Sequence, residues 1–99
     1  MNGFFNEQTY DVALQFDNVE TLYFPLQEEI ENLMQNISCN AERVDQLADY
    51  IEIEARDWYI SGTESPAGDS VIRDWLNQVH WCVLARHYLE LYQEDRKDA

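Results

Sequence analysis

Apolar positions along the chain recur with the period of an α-helix. Leu26, Ile30, Leu33, Met34 and Ile37 fall at i, i+4, i+7, i+8 and i+11, a single stripe at 3.6 residues per turn. Pro25 directly precedes the stripe and suits a first helical turn, so the spacing predicts a helix over 25–38. The next segment begins at Asn40, a residue type that caps helix starts well. It carries Val44, Leu47, Ala48, Ile51, Ala55 and Trp58 on one face before Gly62 offers a stop, and predicts a helix over 40–61. From Asp69 or Ser70 the stripe resumes as Ile72, Trp75, Leu76, Val79, Val83 and Arg86, widened by Val71, Cys82, Leu89 and Tyr92. One long helix over 69–93 is the expectation, with residues 94–99 fraying beyond it.

Between the second and third of these helices, residues 61–70 gather Gly62, Pro66 and Gly68 among small polar side chains and read as an exposed loop. The first quarter is less regular. Phe5, Val12, Ala13 and Phe16 allow a short helix, and Asp17 with Glu20 has the spacing of a capping box for a second turn ending before Pro25. The run Val19-Glu20-Thr21-Leu22-Tyr23-Phe24 is rich enough in β-branched and aromatic residues for a strand, but a strand without a mate. Residues 1–24 are therefore an N-terminal segment, irregular, extended or briefly helical. The fold class is all-α: a single-domain bundle of about four helices. Arg-Asp-Trp occurs twice, at 56–58 and 73–75, each time as two solvated charges preceding a tryptophan expected in the core.

Composition supports a packed fold. Hydrophobic residues make up 45% of the chain and aromatics 13%, far from the apolar-poor composition of disordered chains. Cys39 and Cys82 are the two cysteines, with no CxxC, so neither a disulfide scaffold nor a zinc knuckle is indicated and free thiols in a reducing cytosol are expected. No basic, then apolar, leader opens the chain, and no run approaches the roughly 20 apolar residues of a membrane span. The reading is a cytoplasmic protein with no membrane partner.

Charge changes the picture most. Twenty acidic residues against six basic ones give a formal net charge of −14, which repels nucleic acid and anionic membrane and attracts a basic protein partner. Glu42, Asp45, Asp49 and Glu52 recur every three or four residues, a row of like charges about 15 Å long. Such a row weakens a helix slightly where a lysine at i+4 would have helped, so the uncompensated field points to a use. Glu28, Glu29 and Glu31 lie on the preceding helix, and Glu54, Asp57, Glu64, Asp69 and Asp74 extend the acidity toward and past the loop.

Duplex DNA carries about one charge per 1.7 Å of axis, which one row of carboxylates cannot imitate and two or three acidic helices side by side approach. In composition, size and helical character the chain resembles the small acidic inhibitors that phages use against restriction or CRISPR systems. That resemblance is one of charge and architecture, with no shared motif. It implies an inhibitor that mimics DNA and blocks the basic groove of a DNA- or RNA-binding enzyme or defence complex, acting in the host cytoplasm. The plain counterpart is a solvated acidic surface that serves solubility or salt adaptation.

Chemistry finds little support. His80 and His87 lie seven apart with Glu90 one turn on and Cys82 between, but neither HExxH nor paired ExxH spacing appears, and no metal or cofactor is expected. No glycine-rich phosphate loop and no GxSxG is present, and abundant carboxylates say nothing specific about acid-base catalysis. An enzyme is not expected. The remaining alternative is a helical adaptor, antitoxin-like or chaperone-like subunit that docks through Trp81, Tyr88 and Tyr92 on the last helix, side chains that a homodimer through that helix would also bury.

Overall fold

The computed structural model describes residues 6–62 and 66–97 and builds them into five helices. These are α1 (Glu7–Asn18), α2 (Glu20–Asn36), α3 (Asn40–Ser61), α4 (Pro66–Leu76) and α5 (Trp81–Lys97). Among the described residues there is no strand, and the all-α expectation holds. The long α3 is the centre of the fold, packing on α2, α4 and α5, while α1 closes the remaining side against α2 and α5. Val12 and Phe16 of α1, Leu26 and Ile30 of α2, Leu47 and Ile51 of α3, Leu76 of α4 and Leu84 and Leu89 of α5 form one buried core.

The N-terminal segment is more regular than its sequence suggests. Asn6 caps α1 by accepting from the Thr9 amide at 2.8 Å, which fixes a helix start where the apolar pattern is thin. Phe5 lies outside the described residues. The capping-box turn and the mate-less strand are both replaced by the first turns of α2. Val19 alone is extended, as the corner between α1 and α2. Leu22 is buried and continues the stripe of Leu26 and Ile30 one turn backwards, and that burial decides for helix over strand. Pro25 consequently sits inside α2 and not in its first turn. Its ring nitrogen cannot donate to the Thr21 carbonyl, a single lost bond on an exposed face.

The α2–α3 corner is held by a basic side chain. Arg43 donates from Nε to the Ile37 carbonyl at 2.6 Å and from Nη2 to the Met34 carbonyl at 3.2 Å, satisfying acceptors that the end of α2 leaves over. Cys39 is the N-cap residue of α3, and Asn40 is its first helical residue. The helix ends at Gly62 as its sequence indicates. Beyond it the expected 61–70 loop is shorter, because α4 already begins at Pro66.

The single long helix expected over 69–93 is two helices. The chain leaves α4 at Leu76 through i to i+3 bonds, Gln78 to Trp75 and Val79 to Leu76, both 3.1 Å, and starts α5 at Trp81. The groups freed by the break find partners on α1. Asn6 Nδ2 donates to the Gln78 carbonyl at 2.6 Å, and the His80 amide donates to Thr9 Oγ1 at 2.9 Å. Thr9 is buried and its hydroxyl donates in turn to Asn6 Oδ1 at 2.6 Å.

The break resets the helical phase. In an uninterrupted helix Ala85 would stand half a turn from Leu76, on the opposite side; here both are fully buried. Leu84, Ala85, Tyr88 and Leu89 face the core, whereas Arg86, expected on the inner stripe, is exposed and Val83 is half-buried. α5 continues to Lys97, past the helix end expected at residue 93.

Candidate acidic interface

The buried residues of α3, Val44, Leu47, Ala48, Ile51 and Ala55, define one side of the helix, and the 3.6-residue period places Ile53 opposite them. Around that outer face Glu42, Asp45, Asp49 and Asp57 are all exposed. The row is not wholly uncompensated, as its sequence was read to be. Glu52 Oε2 accepts from Arg56 Nε at 2.8 Å, an i, i+4 ion pair, and Arg56 Nη2 also donates to Asn77 Oδ1 at 2.9 Å. Arg56 stands four residues after Glu52, the spacing that favours such pairs.

On α2, Glu28 and Glu31 are exposed and Glu29 is half-buried. Tyr50 of α3 marks where the two acidic helices meet. Its phenol is pushed up from 10.0 to about 12, first by burial and then by the carboxylates of Glu54, Glu29 and Glu28. Carboxylates of both helices thus act on one point of the surface.

Elsewhere the acidity is divided. Between α3 and α4 an open cleft of about 400 Å³ is lined by Arg56, Asp57, Ile60, Ser61 and Arg73. Two of the six basic residues therefore stand between the acidic face of α3 and the exposed Asp74 of α4. Asp69 also falls on α4, and Glu64 lies outside the described residues. Of the α3 carboxylates, Glu54 shares the neighbourhood of Tyr50 with Glu28 and Glu29, while Asp74 follows Arg73, which lines the α3–α4 cleft.

The aromatic candidates separate. Tyr88 is only 4% exposed, and its hydroxyl lies 3.0 Å from Asp17 Oδ1 and 3.2 Å from the Ala13 carbonyl. Burial, and then Asp17, drive its ionisation well above the usual phenol range. It ties α5 to α1 and cannot anchor a partner. Trp81 and Tyr92 are half-buried against the core. Trp58, expected inside, is 39% exposed and lines a shallow cleft with Tyr59 and Ile72, while Trp75 packs inward against Tyr59 with ring centroids 5.3 Å apart. The two Arg-Asp-Trp copies thus differ in use.

Phe24, Ile53 and Val71 are the most exposed of the large apolar side chains; Val71 and Cys82, expected to widen the inner stripe, both face solvent. For Ile53 the signal was available, since it follows Asp49 by four residues and precedes Asp57 by four.

His80 is exposed, and the His87 ring meets the edge of Tyr88 at 5.5 Å. Among the described residues no three His, Cys, Asp or Glu side chains come together as a metal site. Cys39 and Cys82 are free and exposed. No helix among the described residues is long and apolar enough to cross a membrane. Compared with known proteins, the chain matches no family model, no curated protein and no solved structure.

Proposed function

We propose that this chain is an acidic protein inhibitor whose α2–α3 surface occupies the basic groove of a DNA- or RNA-binding enzyme or defence complex, in the manner of phage anti-restriction and anti-CRISPR proteins. The observation that carries the reading is the row of exposed Glu42, Asp45, Asp49 and Asp57 on α3, beside the exposed Glu28 and Glu31 of the α2 helix that packs on it. Carboxylates four residues apart on one helix are about 6 Å apart along its axis. Two adjacent acidic helices bring the charge density closer to the roughly 1.7 Å per phosphate of a duplex. The protein performs no chemistry, binds no nucleic acid itself and needs a basic protein to act on.

The test is a pull-down with tagged protein from a nuclease-treated lysate of its host cell, eluted by a salt gradient. A nucleic-acid enzyme released at moderate salt, and lost when Glu42, Asp45 and Asp49 are together changed to Lys, supports the reading. Glu52 is left out of that set because its reversal would also set a lysine against Arg56. Retention of the same enzyme by the triple variant removes the mimicry. A salt-resistant partner that is not a nucleic-acid enzyme favours an adaptor instead, because phosphate-replacing contacts weaken steeply with salt.

A further inference from the structure

The acidic face of α3 has an apolar centre. Ile53 is 65% exposed and stands opposite the buried side of the helix, with Asp49 one turn before it, Asp57 one turn after it and Glu42 further along the same face. DNA offers no counterpart to such a side chain at the middle of a row of phosphates. A mimic made of charge alone would place a polar residue there, and Gln46 shows that the face accepts one. The arrangement is that of a protein interface, an apolar contact at the centre within a charged rim. Residues 45, 49, 53 and 57 form an i, i+4 ridge, the shape that seats in the groove of another helix.

We propose that this face of α3 docks a basic amphipathic helix of the protein partner, with Ile53 between that helix's apolar side chains and Asp49 and Asp57 against its lysines or arginines. The occupant follows from charge complementarity: an apolar residue flanked on its own ridge by carboxylates is matched by an apolar stripe flanked by cations. Ile53 then supplies selectivity for a protein surface, and the carboxylates supply attraction. The inference rests on the acidic-interface reading above and adds to it the chemistry of what is bound.

The experiment titrates the full chain, at physiological salt, against two labelled synthetic peptides of equal positive charge. One is an amphipathic leucine–lysine helix of about 18 residues, long enough to cover the ridge; the other is an oligolysine without apolar residues. The leucine–lysine helix should bind about tenfold more tightly, and Ile53→Ser should bring it down to the oligolysine level. Val71→Ser removes a side chain of equal exposure, 66%, on α4, and should change neither affinity. Asp49→Lys with Asp57→Lys should weaken both peptides.

Equal binding of the two peptides by the native chain, absence of binding, or equal losses from Ile53→Ser and Val71→Ser overturns the proposal. If Ile53→Ser has no effect while the charge reversals weaken both peptides, the docking inference fails and the acidic interface stands. If the charge reversals weaken neither peptide, the acidic interface fails with it. Circular dichroism of each variant confirms that the helices persist.

Discussion

Tyr59 on α3 donates its phenol proton to the carboxylate of Asp11 on α1 across 2.9 Å. Further along α1, Tyr88 of α5 lies 3.0 Å from Asp17. A helix with few large apolar residues is thereby held from two directions by phenol–carboxylate bonds, each a charge-assisted contact stronger than a neutral one. Changing Tyr59 to Phe should lower stability by about 1.5–3 kcal/mol, read from the midpoint of urea unfolding. A midpoint unchanged from the native chain would show that the bond contributes nothing.

Alkali should loosen the fold for the same reason. The phenols of Tyr50, Tyr59 and Tyr88 all ionise later than an ordinary tyrosine, each chiefly because of burial and then because of nearby carboxylates. Folding therefore favours their neutral forms. The contribution of Tyr50 is complete below the unfolded value of 10.0 and is lost as the pH climbs through about 12, and those of Tyr59 and Tyr88 are lost at higher pH still. Unfolding midpoints should be flat in this respect up to pH 10 and fall beyond it, while phenolate absorbance reveals late-titrating tyrosines. All six tyrosines ionising together near pH 10 in protein whose helices are intact would contradict the assignment.

Replacing Thr9 by Val keeps the shape but removes both hydrogen bonds of its hydroxyl, to Asn6 and from the His80 amide. The His80 N–H is then left without its acceptor, at a cost of about 1–3 kcal/mol. Hydrogen exchange gives a local readout: the His80 amide should exchange faster than in the native chain, while amides at the middle of α3 move only with global stability. Unaltered exchange at His80 would mean that the junction is held by something other than Thr9.

Pro25 offers a gain. It is exposed and lies inside α2, so Pro25→Ala removes little packing and restores a donor to the Thr21 carbonyl. Stability should rise by about 1–3 kcal/mol, visible as a higher thermal midpoint. A lower midpoint would show that the proline ring makes a contact worth more than the missing bond.

The helix over residues 40–61 was legible in the sequence because its apolar period runs unbroken from Val44 to Ala55 and ends at a glycine. The α4–α5 break was not, because residues 77–80 contain neither glycine nor proline. The partners that stabilise it, Asn6 and Thr9, lie some seventy residues away, beyond the reach of any local pattern. The acidic residues were legible as charges, but their grouping was not. That depends on which helices adjoin, and Tyr50 supplies the connection only in three dimensions. Tyr88 illustrates the converse. An aromatic on a mixed helix face reads equally as an anchor or as core, and the phase reset at residues 77–80 decides for core.

The bend between α4 and α5 is specified by the opposite end of the chain. Asn6 and Thr9 hold the backbone at Gln78 and His80, and Arg56 of α3 holds the Asn77 side chain. An unbroken helix through the same residues would set Ala85 half a turn from Leu76, and the two could not then share one core. The N-terminal residues thus help to fix the phase in which the C-terminal helix meets the core.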